Sequence, residues 1–512
     1  MEKEAKSQEK TVMKLIKCAT LDIYEAKVVE VESTFSRALP GFSIVGLANT
    51  SIQESRDRVK SALSSLEYKF PPQKITINLS PSDLKKEGSH FDLSFALSVA
   101  LQKESVEFGD IFVFGELGLN AKVKDTTLIF PIILSLVKQK KIKKVLIPKE
   151  SFNKVSKIPS LQIAVCETLE DAIEFFKSDD KKFENPKELE FDFIDINKEK
   201  YYYTQEFELD FADVKAQEIA KRASLIAASG MHNILFEGSP GCGKSMCAKR
   251  IRYILPPMSL DEILENARLS SINEKQIDFK PIRNFRSPHH TSSRPSIFGG
   301  GTSKAMMGEI ALSNNGVLFF DEFPHFQKTI LESLREPLED NRVLISRVNS
   351  KIEYKTKFLF VAAQNPCPCG NLLSSTKECR CSELEIQRYK NRLSDPLLDR
   401  IDLYVQMDEV SSTDKPSISS KEMFQIVKKA FIRQKSRGQK ELNGKMSERD
   451  IEKFCKLEEK EQEILHNAVL KFGLTQRGIN KTLKVARTIA DMDDSDTIKK
   501  SHLLEALSYR RR

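Results

Sequence analysis

The stretch Gly238-Ser-Pro-Gly-Cys-Gly-Lys-Ser245 has the full G-x-x-x-x-G-K-S spacing of a phosphate-binding loop. An apolar run, Asn233-Ile-Leu-Phe-Glu237, precedes it, and a helical pattern from Met246 to Ile254 follows it. A glycine-rich turn that matched this spacing by chance would not be expected to lie between a strand and a helix. The sequence therefore predicts a P-loop fold that binds ATP through Gly238, Ser239, Pro240, Gly241, Cys242, Gly243, Lys244 and Ser245.

A second buried strand ends in two carboxylates, in the run Val317-Leu-Phe-Phe-Asp321-Glu322. The carboxyl ends of parallel strands are where α/β sheets bind ligands. We expect Asp321 and the Ser245 hydroxyl to hold Mg²⁺, and Glu322 to activate the attacking water. Lys244 would reach the β and γ phosphates from the loop.

Three more residues could act on the γ-phosphate. Asn365 follows a third apolar strand and could position the water, or it could simply turn the chain before the next proline. Arg400 ends an apolar stretch and could enter a neighbouring subunit's site as an arginine finger, or it could form a local ion pair with Asp399 or Asp402. Arg477 opens a helix and could reach the γ-phosphate, or it could be a solvated arginine.

Strands alternate with helical stretches along most of the chain, which predicts an α/β protein of several domains. Residues 1–176 read as a mixed α/β domain, and residues 177–208 as a linker of mixed charge. Residues 209–410 carry the phosphate loop and predict a parallel sheet with helices on both faces. Residues 411–512 predict a helical lid, with helices at about 420–436, 459–471, 475–491 and 497–509.

The composition favours a cytoplasmic, non-membrane protein. No run of about 18 apolar residues could cross a bilayer, and the charged first ten residues are not a secretory signal. A net charge of +8, from 81 basic and 73 acidic residues, is compatible with an ordinary enzyme or with nucleic-acid binding. Nine cysteines without a disulfide pattern fit a reducing compartment.

Four of those cysteines crowd together in a C-x-C, nine residues, C-x-C array: Cys367, Cys369, Cys379 and Cys381. Four thiolates could form a closed tetrahedral Zn²⁺ site that fixes the loop. The spacing is tighter than the usual C-x₂-C, so four free thiols are the alternative. If a metal binds here, we expect it to be structural.

A basic hairpin is predicted between the second and third strands, with cations at Arg347, Lys351, Lys355 and Lys357. These cations suit DNA phosphates in a central channel, although a solvated charged hairpin would have the same composition. A second loop, from Phe285 to Gly301, carries adjacent histidines and three successive glycines. For that loop we favour a role with DNA or with the nucleotide over a metal site.

The chain resembles the magnesium-chelatase-like AAA+ proteins, specifically their competence-associated branch. The resemblance spans nearly the whole chain and rests on the strings Pro40-Gly-Phe-Ser-Ile-Val-Gly-Leu47, Glu54-Ser-Arg-Asp-Arg-Val59, Lys86-Glu-Gly88, Phe91-Asp-Leu93, Asp210-Phe-Ala-Asp-Val-Lys215, Phe285-Arg-Ser-Pro-His-His-Thr291, Gly308-Glu-Ile310, Asn365-Pro-Cys-Pro-Cys-Gly370 and Leu483-Lys-Val-Ala-Arg-Thr-Ile-Ala490.

This resemblance implies a hexameric ring that hydrolyses ATP to move on single-stranded or branched DNA, with recombination proteins as partners. It implies branch migration during the integration of incoming DNA in natural transformation, and it supports the roles given to Asn365, Arg400 and Arg477. A protein-remodelling subunit of the chelatase type is the alternative, and a nucleotide-gated DNA clamp is a third reading. The carboxylate pair Asp321 and Glu322 favours turnover over the clamp.

The amino-terminal block resembles the proteolytic domain of the Lon protease, a family that uses a serine and a lysine. His90 stands where that family carries its nucleophile, and Ser89 is one residue away. The stretch from Gly115 to Val123 has no evident catalytic lysine after it. We therefore expect a Lon-protease-like domain without peptidase activity.

Overall fold

The computed structural model describes residues 14–22, 24–273, 276–300, 307–346, 351–409 and 417–511, except for the side chains of 345, 346, 351 and 352. The chain divides into two compact units. The first comprises Met1–Glu190 and Ala267–Phe279, and the second comprises Phe191–Asn266 and Lys280–Arg512. Within the described ranges, no helix has the length and apolar character needed to cross a bilayer.

The first unit is built on a seven-stranded mixed sheet in the order β3-β4-β2-β1-β5-β8-β9. Its strands, together with the two-stranded ribbon β6-β7, are β1 Leu15–Asp22, β2 Glu25–Ser36, β3 Gly41–Val45, β4 Lys74–Ser80, β5 Ile111–Val113, β6 Glu116–Leu117, β7 Val123–Lys124, β8 Lys144–Pro148 and β9 Gln162–Cys166. Its helices are α1 Thr50–Ser65, α2 Asp92–Ala100, α3 Ile129–Lys138, α4 Phe152–Val155 and α5 Leu169–Lys177. The predicted mixed α/β character of this block is confirmed.

The residues of the first unit that match the Lon motif are committed to internal contacts. His90 is fully buried and its Nε2 lies 2.8 Å from the carbonyl oxygen of Ala19. Burial disfavours the charged imidazole and lowers the pKa of His90 to about 4. The Ser89 hydroxyl donates to the Glu116 carboxylate. Neither side chain contacts a lysine among the hydrogen bonds of the described residues.

The second unit has a five-stranded sheet in the order β14-β15-β18-β12-β19, and every pair of neighbouring strands is parallel. Its strands, including the smaller sheets, are β10 Asp192–Ile196, β11 Glu199–Tyr203, β12 Ile234–Gly238, β13 Met258–Ser259, β14 Phe285–Arg286, β15 Val317–Phe320, β16 Arg342–Ser346, β17 Lys351–Lys355, β18 Leu359–Gln364 and β19 Leu403–Met407.

The helices after residue 190 are α6 Glu218–Gly230, α7 Lys244–Ile251, α8 Leu260–Ile272, α9 Arg294–Phe298, α10 Glu309–Leu312, α11 Lys328–Ser333, α12 Arg335–Glu339, α13 Glu383–Lys390, α14 Asp395–Leu398, α15 Ser420–Ser436, α16 Glu448–Phe454, α17 Glu459–Phe472, α18 Gln476–Met492 and α19 Lys500–Ser508. Four of these, α15 and α17 to α19, confirm the predicted helices of the carboxyl-terminal segment. The short helix α16 was not predicted. Residues 411–416, at the start of the predicted lid, lie outside the described residues.

Alternate residues of the central strands enter two different hydrophobic cores. Ile234 and Phe236 of β12 belong to one core, whereas Leu235 between them belongs to the other. Side chains on a strand alternate between its two faces, so the sheet is covered on both sides. This confirms the predicted parallel sheet between two helical layers.

Residues 192–203, which the sequence interpretation assigned to a linker, form a β-hairpin. Strands β10 and β11 pair in antiparallel register, and β11 continues onto β13 through Tyr201 and Ser259. The Tyr201 ring packs edge-on against Phe431 of α15, with 5.0 Å between ring centroids. The hairpin is thus part of the second unit.

Candidate functional site

The phosphate loop follows β12, the strand between β18 and β19, and leads into α7. Gly241 and Gly243 have φ values of +85° and +98°, which favour glycine over other residues. Lys244 folds back into the loop, and its Nζ donates to the carbonyl oxygens of Gly238 at 2.6 Å and Ser239 at 2.9 Å. Burial lowers the pKa of Lys244, and a bound anion would favour its charged form.

The two predicted Mg²⁺ ligands meet at the same edge of the sheet. The Ser245 hydroxyl donates to Asp321 Oδ2 at 2.8 Å, although the two residues lie 76 positions apart in the chain. Hydroxyl and carboxylate oxygens are the hard donors that Mg²⁺ prefers. The donor set therefore fits Mg²⁺ bound together with the phosphates of a nucleotide.

Asn365 belongs to the same cluster. Its Oδ1 accepts a hydrogen bond from Lys244 Nζ at 3.2 Å. Its backbone N–H donates to the phenol oxygen of Tyr389 on α13. The structure therefore brings Lys244, Ser245, Asp321 and Asn365 together, as expected from the parallel order of β12, β15 and β18.

Glu322 has a partner that the sequence did not reveal. Its carboxylate Oε2 lies 3.2 Å from Nδ1 of His290, which follows β14 in the predicted Phe285–Gly301 loop. The Glu322 backbone has φ of +51°, a left-handed conformation that is uncommon for residues other than glycine. The sequence singled out this histidine pair, but not its contact with the glutamate.

Gln217 was also missed, because it lies two residues after the end of the quoted string Asp210–Lys215. Its side-chain Nε2 donates to the carbonyl oxygen of Cys242 at 3.1 Å and to that of Asp408 at 2.5 Å. Cys242 belongs to the phosphate loop, and Asp408 follows β19. Gln217, whose φ is +58°, therefore ties the loop to the end of the neighbouring strand.

Arg400 and Arg477 share one carboxylate. Nη2 of Arg400 pairs with Oε2 of Glu339, at the end of α12, and Nη2 of Arg477 pairs with Oε1 of the same residue. The local ion pair considered for Arg400 thus exists, but its partner is Glu339 instead of Asp399 or Asp402. No hydrogen bond or ion pair between described residues links Arg477 to the phosphate loop.

The two arginines border a cavity of about 580 Å³ whose lining carries charges of both signs. Lys445, Lys481 and Lys484 line the same cavity, and burial lowers the pKa of all three, that of Lys445 to about 8. The Lys445 Nζ lies 3.3 Å from Asn233 Oδ1. Four carboxylates, those of Glu339, Asp399, Asp402 and Glu448, line the same cavity, so its positive and negative charges nearly balance.

The predicted basic hairpin is formed by β16 and β17, which pair antiparallel from Arg342 opposite Lys355. The Lys355 side chain is exposed, whereas Lys357 Nζ pairs with Glu441. The predicted contact residue Arg347 and the side chain of Lys351 lie outside the described residues. Of the four predicted cations, the structure therefore shows one exposed and one neutralised within the chain.

The four-cysteine cluster, Cys367, Cys369, Cys379 and Cys381, is assembled in space. Their sulfur atoms all lie within 4.8 Å of one another, and Cys367 is fully buried. A set of four thiols at these separations could hold a zinc ion. The cluster begins two residues after Asn365 and ends just before α13.

Three family matches cover most of the chain. Residues 31–151 match the family described as subunit ChlI of Mg-chelatase. Residues 210–415 match magnesium chelatase, subunit ChlI, and residues 417–510 match the ChlI carboxyl-terminal family. The central match contains every residue of the nucleotide cluster described above.

Full-length relatives agree with these matches. The chain is 36% identical over 500 residues to the competence protein ComM of Haemophilus influenzae, covering 95% of each chain. It is 37% identical over 502 residues to the uncharacterised protein YifB of Escherichia coli, covering 95% of this chain and 94% of the relative. The chain therefore belongs to the magnesium-chelatase ChlI family, in the group typified by YifB and ComM.

Proposed function

We propose that this chain is the subunit of a hexameric ring that uses ATP hydrolysis to move on branched DNA. The observation that carries this proposal is the meeting of Lys244, Ser245, Asp321 and Asn365 at one sheet edge, with Glu322 beside them. The family supports ATP hydrolysis, and the similarity to a competence protein supports a role in recombination during natural transformation. Recombination proteins are then the expected partners.

Each residue of the cluster has a task in hydrolysis. Lys244 binds the phosphate oxygens, and Ser245 and Asp321 are placed to hold Mg²⁺, which supplies charge neutralisation of the phosphates when bound. Glu322 takes the proton from the attacking water, and Asn365 orients that water. The hydrogen bond from Lys244 to Asn365 keeps the phosphate loop and the third strand in register before the nucleotide arrives.

Arg400 and Arg477 act together on the nucleotide of the neighbouring subunit. Both contact Glu339, so a phosphate that reaches one arginine also reaches the other. We assign Arg477 to the neighbouring nucleotide together with Arg400 because the two arginines share the partner Glu339.

The basic hairpin is the element that we place against DNA. The exposed Lys355, with Arg347 and Lys351 in the predicted tip region, supplies the cations, and contacts of this kind weaken as salt increases. Lys357, paired with Glu441, holds the base of the hairpin instead. We therefore assign DNA contact to Lys355 and the tip, and a supporting role to Lys357.

A protein-remodelling ATPase of the chelatase type is the second candidate, favoured by the descriptions of all three family matches. It would use the same ATP site but would not need DNA.

For either candidate function, we propose that the first unit is a Lon-protease-like domain without peptidase activity. The contacts of Ser89 with Glu116 and of His90 with Ala19 support that assignment.

Steady-state ATPase rates with and without DNA test the choice between the two candidates. The wild type should be stimulated by single-stranded DNA and more strongly by a four-way junction. Lys351→Ala/Lys355→Ala should lose the stimulation while keeping the rate measured without DNA. A rate that no DNA changes would support the protein-remodelling function instead.

A further inference from the structure

The loop after β18 contains the four-cysteine cluster and is also tied to Glu409 through Ser375 and Thr376. Residues 365–382 contain neither helix nor strand, and loops of more than about 12–15 residues without secondary structure are uncommon in compact domains unless something fixes them. The sulfur atoms of Cys367, Cys369 and Cys379 nevertheless lie 3.4, 3.7 and 3.6 Å apart. A specific binding partner for the four thiols would account for this convergence.

These distances discriminate between the chemistries open to four cysteines. A disulfide requires about 2.05 Å between the sulfurs, far less than the separations observed. Four thiolates placed tetrahedrally at about 2.3 Å from a zinc ion lie about 3.8 Å from one another. The observed distances match that value. An iron–sulfur cluster would spread the same thiolates further apart, because they would bind different metal atoms.

The four cysteines differ in their exposure, since Cys367 is buried whereas Cys369, Cys379 and Cys381 are partly exposed. The buried Cys367 closes the site on its inner side.

The cluster is connected to the nucleotide site at two points. Gly370, between Cys369 and the loop tip, has φ of +80°, and a Cβ added to it would lie 2.6 Å from Cδ of Pro240 in the phosphate loop. At the other end, α13 begins two residues after Cys381, and its Tyr389 accepts the backbone N–H of Asn365. The cluster is therefore linked along the chain to Gly370, which is next to Pro240 of the phosphate loop, and to Tyr389, which contacts Asn365.

We propose that the four cysteines bind one Zn²⁺ per chain, and that this ion holds Gly370 against Pro240 and Asn365 in line with Lys244. Zinc would then be required for the geometry of the ATP site without taking part in hydrolysis. Loss of the ion would release the loop, and a displacement of about 1 Å in such a site is enough to cost about 100-fold in rate. Oxidation of the thiols would have the same effect as removing the metal.

Zinc content and nucleotide binding are measured separately on the full chain. The zinc measurement tests the metal site independently of the proposed ATPase function. The coupling between zinc and the ATP site rests on that proposed function. The purified wild type should carry about one zinc per chain by mass spectrometry of metals. Cys379→Ala/Cys381→Ala should lose the zinc and bind a fluorescent ATP analogue about tenfold or more weakly. Cys18→Ala, which removes a buried thiol of β1, is the matched control and should change neither value.

Gly370→Ala separates the metal from its consequence. It keeps all four thiols, so zinc should remain at the wild-type level, while nucleotide binding weakens because the new methyl group pushes on Pro240. Wild-type protein that takes up no zinc from an equimolar solution would overturn the metal site. Zinc-free Cys379→Ala/Cys381→Ala that binds the analogue as tightly as wild type would overturn the coupling, even if the zinc site itself is real.

Discussion

The imidazole Nδ1 of His290 lies 3.2 Å from the Glu322 carboxylate, so the residue that we propose to activate water contacts a loop that follows the neighbouring strand. β14 precedes that loop and β15 precedes Glu322, and these two strands pair in parallel. A partner that displaces the loop would also move the carboxylate. The contact therefore offers a route by which DNA binding could alter hydrolysis.

Replacement of His290 should uncouple hydrolysis from DNA. We expect His290→Ala to keep nucleotide affinity, because the residue contacts neither the phosphate loop nor Asn365 among the described contacts, and to lose most of the DNA stimulation of ATPase. His289→Ala is the matched control, since that ring packs on His290, with 4.2 Å between centroids, and bonds to Thr291, but makes no contact with Glu322 among the ion pairs and hydrogen bonds of the described residues. Full DNA stimulation in His290→Ala would contradict a coupling role.

The shared contact with Glu339 predicts how mutant subunits complement one another. Lys244→Ala subunits cannot bind ATP but keep both arginines, whereas Arg477→Ala subunits have the opposite defect. If Arg477 acts on the neighbouring nucleotide, a mixture of the two inactive variants should regain ATPase, because some interfaces receive an intact loop and an intact arginine.

The same mixture gives no activity if Arg477 serves its own subunit, since no chain then holds both residues. Arg400→Ala mixed with Lys244→Ala is the parallel experiment, and it should behave in the same way. Different outcomes for the two arginines would show that their common partner does not place them in one site.

Glu322→Gln should separate binding from turnover. A glutamine keeps the shape of the side chain but cannot take a proton, so ATPase should fall by about 100-fold or more. Nucleotide affinity should remain close to wild type, because Lys244, Ser245 and Asp321 are unchanged. Asp321→Asn should instead weaken Mg²⁺-dependent binding, which a titration of Mg²⁺ against nucleotide affinity would measure.

The buried His90 predicts a pH dependence of stability in the first unit. Its pKa of about 4 in the folded protein lies below the value near 6.5 of an unfolded chain. Above pH 6.5 both states are neutral at this site. As the pH falls towards 4, the unfolded chain binds a proton that the folded protein does not, and the free energy of unfolding decreases by on the order of 3 kcal/mol.

Urea unfolding of wild type and His90→Gln between pH 4.5 and 7.5 measures this effect. Glutamine can still donate to the Ala19 carbonyl but does not titrate, so the variant should lose less stability on acidification. Equal pH slopes for the two proteins would show that His90 does not set the acid sensitivity.

The sequence predicted those parts of the site that depend on local pattern. The spacing of the phosphate loop and the apolar strands before Asp321 and Asn365 were enough to place these residues at one sheet edge, since parallel strands share that edge. The hairpin at 342–357 also followed from its alternating pattern. Each of these features depends on residues that lie close to one another in the sequence.

The remaining contacts depend on packing between distant segments. β14 is only two residues long, so the sequence pattern did not predict this strand, which precedes His290 and places it near Glu322. Arg477 meets Glu339 only because α18 lies near α12, which local periodicity cannot show. The hairpin at 192–203 was not predicted, because acidic and basic residues are interleaved along it. Its strands therefore lack the alternation of apolar and polar residues that indicates a strand.

Branch migration on a synthetic four-way junction tests the central claim most directly. A junction with one labelled arm and homologous sequences should be resolved into duplexes by the wild type with Mg²⁺ and ATP. Glu322→Gln should bind the junction without resolving it. Lys351→Ala/Lys355→Ala should resolve the junction slowly while retaining ATPase. A wild type that hydrolyses ATP but leaves every junction intact would contradict a DNA motor.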